Sequence, residues 1–185
     1  MKIVFYRRLL NMGNCMTPSE KILYSFLVSK SIARLDCIFY TDGTEIAFDN
    51  LCMYLEENNN MIDICDINHS KIARELHQTR KTVIEGLKHL KELNLISDKL
   101  IFLKKELVCG GYFELTRLDI LKGELLIFYS FLKDKSTRYG YCIDTFKAKI
   151  GEQIGKSKIA VTKLLNRLYD IGLAKRLDNG KLLIL

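Results

Sequence analysis

Apolar residues recur at helical spacing through the C-terminal third of the chain, and this pattern predicts three helices. Over residues 121–133 they fall at i, i+3, i+4 and i+7 positions: Leu125, Phe128, Tyr129 and Leu132. The same periodicity predicts a second helix over 146–154, and a third over 158–171 with an inward stripe of Val161, Leu164, Leu165 and Leu168. The three predicted helices each have one apolar face to bury.

The residues between these helices predict how the segments connect. Tyr139–Ile143 is rich in aromatic and β-branched residues and predicts a short strand. Gly155 can end the second helix in a left-handed conformation, Ser157 is a suitable N-cap for the third, and Gly172 ends it. Two short strands around Asn179-Gly180 then predict a hairpin. The predicted order is helix, strand, helix, tight turn, helix, hairpin.

The chain contains an internal repeat. Tyr-Ser-Phe-Leu occurs at 24–27 and again at 129–132, an offset of 105 residues. Residues 61–96 align with 139–174 at an offset of 78 and keep the same apolar phase. Two blocks in the same order predict two copies of one module, and the difference in offsets predicts 27 extra residues at roughly 34–60 of the first copy.

Two segments of the first copy have no clear counterpart in the second. The insertion predicts a hairpin of strands 37–40 and 44–48, followed by a short helix from Asp49 to the polar residues at 58–60. Beyond the third helix of this copy, the pattern predicts strands near 100–104 and 111–115 that form a longer hairpin.

Composition adds an uneven charge distribution. The 185 residues are 48% apolar with a net charge of +7. Residues 35–70 hold eight acids and no Lys or Arg, whereas 71–185 hold 23 Lys and Arg against 13 Asp and Glu. A basic surplus favours a polyanionic partner through counterion release from phosphates. The alternative is a lysine-rich solubilising surface.

Several classes of protein are not expected. No charge-free stretch approaches the ~18 apolar residues of a membrane span. The N-terminal MKIVFYRRLL places two arginines where a signal peptide needs its apolar segment, which predicts a cytoplasmic protein without a membrane partner. The six cysteines are scattered without a CxxC pair, as is typical of buried thiols in a reducing compartment. With no catalytic constellation or metal-ligand spacing, we expect no enzyme, no metal and no cofactor.

The segment IGEQIGKSKIAVTKLLNRLYDIGLAKR (150–176) resembles the helix-turn-helix of winged-helix DNA-binding domains. Gly155 corresponds to the turn glycine of these domains, Ser157 to the residue that opens the recognition helix, and Gly172 to the glycine that closes it. In the first copy, His77 and Asn94 take the places of the two glycines, and both residue types tolerate a left-handed conformation. The resemblance implies an α+β fold of two tandem winged-helix domains, at about 1–115 and 116–185.

The resemblance also implies which residues contact DNA. A recognition helix enters the major groove by its N-terminal half and presents the side opposite its buried stripe. In the second copy the candidates on this helix and its hairpin are Ser157, Lys158, Ile159, Thr162, Lys163, Asn166, Arg167, Lys175, Arg176, Asn179 and Lys181. In the first copy they are Thr79, Arg80, Lys81 and Lys88, but Glu85 and Glu92 share that face. The first copy therefore either reads sequence with Glu85 or contacts protein.

The function implied is sequence-specific binding of double-stranded DNA. The tandem layout resembles that of plasmid and phage replication initiators, and some transcription regulators use the same parts. The alternative is a structural interaction protein, since tandem winged helices also resemble accessory subunits of chromosome-condensing complexes. The acidic insertion at 34–60 should point away from a duplex, and its sharper interpretation is a surface for a homodimer or a protein partner.

Overall fold

The structure is a computed structural model that describes residues 2–12, 15–35, 45–116, 118–139, 142–143, 147–178 and 181–185. Its helices within these residues are α1 (Pro18–Ile32), α2 (Glu45–Glu57), α3 (His69–Glu75), α4 (Arg80–Glu92), α5 (Lys105–Cys109), α6 (Gly123–Tyr139), α7 (Lys147–Ile154) and α8 (Lys158–Asp170), with a 3₁₀ helix at Arg7–Asn11. The strands are β1 (Val4–Tyr6), β2 (Met61–Asp63), β3 (Leu100–Phe102), β4 (Tyr112–Glu114), β5 (Cys142–Ile143), β6 (Ala174–Arg176) and β7 (Lys181–Ile184). The fold is α+β.

The strands form three small antiparallel sheets. β1 pairs with β4, and β2 pairs with β3. In the third sheet, β7 lies between β5 and β6. The sequence prediction of a hairpin from β6 and β7 is confirmed, although Asn179 and Gly180 at its predicted turn lie outside the described residues.

The predicted repeat is visible in the bounds of the elements. α6 begins 105 residues after α1, and α7 and α8 begin 78 residues after α3 and α4, the two offsets found in the sequence. Backbone hydrogen bonds repeat as well: the Gln78 amide donates to the Ala73 carbonyl at 2.9 Å, and the Lys156 amide to the Gly151 carbonyl at 2.8 Å. Among the described residues of the second copy no helix corresponds to α2, which agrees with an insertion. The domain boundary at 115/116 stays a prediction.

The hairpin predicted after the third helix of the first copy is wrong. Strands do form there, as β3 and β4, but α5 separates them and they pair with different partners. β3 pairs with β2 and makes a bridge from Ile101 to Ile96, whereas β4 pairs with β1. β1 is distant in sequence, so the local pattern around β4 does not predict this pairing.

Other predicted elements differ in extent. Residues 45–48 were expected in a strand but form the first turn of α2, so the predicted helix begins earlier than Asp49; residues 36–44, with the rest of that hairpin, lie outside the described residues. α6 continues to Tyr139, so the strand predicted at 139–143 does not include that residue, and β5 is described at Cys142–Ile143. The helix predicted from residue 146 is described from Lys147.

α1 lies at the centre of the molecule. Eleven of its 15 residues are buried, on every side, as expected of a helix enclosed by protein. Two of its serines hold neighbouring segments: the Ser29 hydroxyl accepts a hydrogen bond from the Val4 amide, and the Ser31 hydroxyl from the Cys65 amide, both at 2.9 Å. α1 therefore joins β1 and the end of β2 to the core that both copies share.

The two copies contact each other at several places. β1 and β4 both lie in the predicted first domain, where Phe5 stacks on Phe113 at 5.1 Å, and Phe131 of α6 in the second domain meets Phe113 edge-on at 5.9 Å. The backbone before α1 lies beside Gly155 of the second copy, and Asp119, before α6, lies 3.3 Å from His77 of the first. These contacts hold one copy against the other.

Candidate nucleic-acid interface

The turn between α7 and α8 depends on two glycines. Gly155 has a φ of +65°, in the left-handed region that glycine adopts without steric cost. A Cβ on Gly151 would lie 2.4 Å from the Lys156 carbonyl oxygen, so the close approach of the turn requires glycine there too. Ser157 then caps α8 by accepting a hydrogen bond from the Ala160 amide at 3.2 Å. The predicted tight turn and N-cap are confirmed.

The equivalent turn of the first copy forms without glycine. His77 has a φ of +51° and Asn94 a φ of +55°, so these residues do take the positions of Gly155 and Gly172. Thr79 caps α4 by accepting from the Thr82 amide at 3.1 Å. Each copy therefore presents a capped helix of 13 residues after a tight turn.

The outward face of α8 combines exposed cations with one exposed apolar side chain. Ser157, Lys158, Lys163, Asn166 and Arg167 are exposed, and Thr162 is half-buried with its hydroxyl donating to the Lys158 carbonyl. Ile159 is 70% exposed. Within the described part of the chain, Lys158, Lys163 and Arg167 form no ion pair. These cations are available to an anionic partner.

The β6–β7 hairpin adds basic residues beside α8. Lys175 and Arg176 are exposed on β6, and Lys181 is half-buried at the start of β7. The remaining hairpin candidate, Asn179, lies outside the described residues. Two cations of the hairpin are thus exposed on β6, the strand that follows α8.

The outward face of α4 is also charged, but two of its lysines are paired with glutamates. Lys81 lies 3.8 Å from Glu85, and Lys88 lies 3.8 Å from Glu92, each one helical turn apart. Thr79, Arg80, Lys81 and Lys88 are all exposed, as the sequence predicted, and Ile84 between them is 42% exposed. This face alternates in sign, whereas the candidate residues of α8 include three cations and no acid.

After α4, the first copy has a tight turn in place of the predicted hairpin. An isolated bridge joins Ile96 to Ile101, and the Ser97 amide donates to the Leu100 carbonyl at 2.7 Å to close the tip of this turn. Asp98 at this tip pairs with Lys91 of α4, and the hydrogen bond from Lys91 lowers the pKa of Asp98. The Asp98 carboxylate is therefore paired within the first copy, whereas Lys99 beside it at the tip is exposed.

His89 lies between α4 and α1. It is half-buried, and its Nδ1 lies 2.9 Å from a carboxylate oxygen of Glu20 on α1. Burial raises the pKa of Glu20, but hydrogen bonds from the Thr17 backbone and from His89 outweigh it and bring the pKa below its usual value. His89 therefore ties α4 to α1, a role that only the packing of the two helices reveals.

The structure also bears on metal ligands, thiols and membrane helices. No group of three His, Cys, Asp or Glu among the described residues could hold a metal ion. Cys65 is buried as expected, whereas Cys15 and Cys109 are exposed, contrary to the prediction of buried thiols. None of the helices in the described ranges is long and apolar enough to cross a membrane.

Comparison with known proteins found no matching family model, no similar curated protein and no similar solved structure. The functional assignment therefore depends on the geometry of the two copies and the charge of their outward helices.

Proposed function

We propose that this protein binds double-stranded DNA in a sequence-specific manner, through two tandem winged-helix modules. The observation that carries the proposal is the outward face of α8, where Lys158, Lys163 and Arg167 are exposed around Ile159 and Asn166. Lys and Arg neutralise phosphates or reach guanine, Asn can bridge adenine, and an apolar side chain can contact the thymine methyl group. One helix thus has groups for both affinity and readout.

The surroundings of α8 support the same role. Its first turn, opened by Ser157, has free amides that suit a phosphate, and the exposed Lys175 and Arg176 of the hairpin extend the basic surface. The acidic insertion would lie away from the duplex in this proposal. We further propose a cytoplasmic role in replication initiation or transcription regulation of a mobile element. The layout of two small modules supports this role.

A charge-removal experiment tests this proposal. The Lys158→Ala/Lys163→Ala/Arg167→Ala variant should bind a random duplex about 100-fold more weakly at low salt, from roughly 1 kcal/mol for each lost cation. The matched control is Lys2→Ala/Arg34→Ala/Lys122→Ala, which removes the same charge from exposed residues outside α8 and its hairpin. Fluorescence anisotropy should show little change for the control. Equal affinities of the two variants would contradict the proposal.

The second candidate is a structural interaction protein that binds another protein. Ile159 and Ile84, exposed on the outward faces of α8 and α4, favour it, as does the alternating charge of α4. Absence of binding to duplex DNA at low salt would favour this candidate, with the insertion at 34–60 as a further contact surface.

A further inference from the structure

α4 and α8 share one framework. They have the same length, the same capping geometry at Thr79 and Ser157, and inward residues that match in type at the 78-residue offset. The framework differs where Leu164 of α8 corresponds to Gly86, whose missing side chain lets α1 pack close: a Cβ there would lie 2.9 Å from Leu23. This difference is on the inward side, so the outward positions of the two helices remain comparable one by one.

The outward residues differ at nearly every one of these positions. Each pair, given as α8 then α4, changes chemistry: Ile159 and Lys81, Thr162 and Ile84, Lys163 and Glu85, Asn166 and Lys88. Two modules with one framework and different outward residues would read different base sequences. The sharpest difference is at Lys163 and Glu85, where the sign of the charge reverses.

The presence of Glu85 does not make α4 unsuitable for a polyanion. α4 carries four Lys and Arg against two Glu, and α8 carries three against one Asp, so both helices have the same net charge of +2. Lys81, at 3.8 Å, partly neutralises Glu85, which stays 65% exposed in the second turn of the helix. An exposed carboxylate that a lysine accompanies can approach a base edge without full repulsion from the phosphates.

We propose that the DNA site is asymmetric, with two unlike segments, and that Glu85 reads a cytosine in the segment that faces α4. A carboxylate is an acceptor, and cytosine N4 is the base-edge donor that Glu selects in the major groove. The segment facing α8 is read by Asn166 and Ile159 at A·T pairs and by Lys163 at guanine. This proposal rests on the proposed function, and it adds the base composition of each segment.

Selection from a randomised duplex library tests the proposal with three proteins. Wild type should enrich a site with two unlike segments, one of which requires a C·G pair. Glu85→Gln should lose preference at that pair by about tenfold and leave the other segment unchanged. A Lys81→Ile/Ile84→Thr/Glu85→Lys/Lys88→Asn variant, which gives α4 the outward residues of α8, should enrich a site with two like segments.

The outcomes separate this inference from the function beneath it. Enrichment of a single segment by wild type, or an unchanged site for Glu85→Gln, would contradict base recognition by α4, while DNA binding through α8 would still hold. The outward face of α4 would then be a candidate for contact with a protein. No enrichment by any of the three proteins would overturn both. All four substituted positions are on the outward face, so thermal melting should show that each variant remains folded.

Discussion

Phe113 is the residue whose loss should show most clearly that the two copies fold as one unit. It is 1% exposed, stacks on Phe5, meets Phe131 edge-on and lies 5.7 Å from the Arg7 guanidinium, which also pairs with Asp134. Phe113→Ala removes a buried ring from the contact between the β1–β4 sheet and α6, and leaves a cavity lined by residues of both copies. We expect the free energy of unfolding to fall by about 4 kcal/mol.

Urea unfolding followed by circular dichroism measures this loss. With a denaturant slope of about 2 kcal/mol/M, the midpoint should move down by about 2 M in a single transition. Tyr112→Ala is the control, because Tyr112 is the preceding residue of the same strand and is 38% exposed; it should cost about 1 kcal/mol or less. Equal losses for the two variants, or two separate transitions in wild type, would refute a shared core.

Three further predictions follow from single contacts. Glu20→Gln should flatten the loss of stability at acid pH. The pKa of Glu20 is lowered in the folded protein, so its carboxylate stabilises the fold above its unfolded pKa and loses this effect as pH falls through the folded pKa. An unchanged acid limb in a plot of urea midpoints against pH would contradict this prediction. Lys21→Met should raise the free energy of unfolding at pH 7 by about 1 kcal/mol, because Lys21 is buried with one hydrogen bond to the Leu10 carbonyl. Burial, with Lys156 nearby, lowers the pKa of Lys21, as expected of a charge that is costly to bury. A variant less stable than wild type would contradict this prediction and show that the hydrogen bond makes a net contribution. Gly155→Ala should lower the free energy of unfolding by about 1–2 kcal/mol, because residue 155 has a left-handed backbone conformation. His77→Gly should raise it by about 0.5 kcal/mol, because residue 77 has the same conformation. Equal thermal midpoints for these two variants would contradict the prediction.

Local signals predicted the parts of the fold that depend on neighbours in sequence. The apolar stripe of α8, its cap at Ser157 and the left-handed residues at 77, 94, 155 and 172 are set by interactions within a few residues, and the structure has each of them. The offsets of 105 and 78 residues extended these signals from the second copy to the first.

Non-local pairing was out of reach of the same signals. β4 reads as a hairpin strand in isolation, but its partner is β1, more than a hundred residues away. Residues 45–48 carry a strand-like pattern, yet they form the start of α2, which packs against α5. Tertiary context decides both cases, as is common for short segments.

The candidate interface divides in the same way. Exposure of the α8 cations follows from helical periodicity and was predicted from sequence. The pairing of Lys81 with Glu85 also follows from i,i+4 spacing. The contact of His89 with Glu20 depends on how α4 packs against α1, and that of Asp98 with Lys91 on how the turn after α4 folds back onto the helix.

The most direct measurement of DNA binding is the dependence of its association constant on salt. For wild type, a plot of log K against log salt should be steep, with about 0.9 of slope for each phosphate neutralised. The Lys158→Ala/Lys163→Ala/Arg167→Ala variant should lose about 2 to 3 of that slope, and the Lys2→Ala/Arg34→Ala/Lys122→Ala control should run parallel to wild type. A flat wild-type plot, or equal slopes for wild type and the α8 variant, would contradict DNA binding through α8.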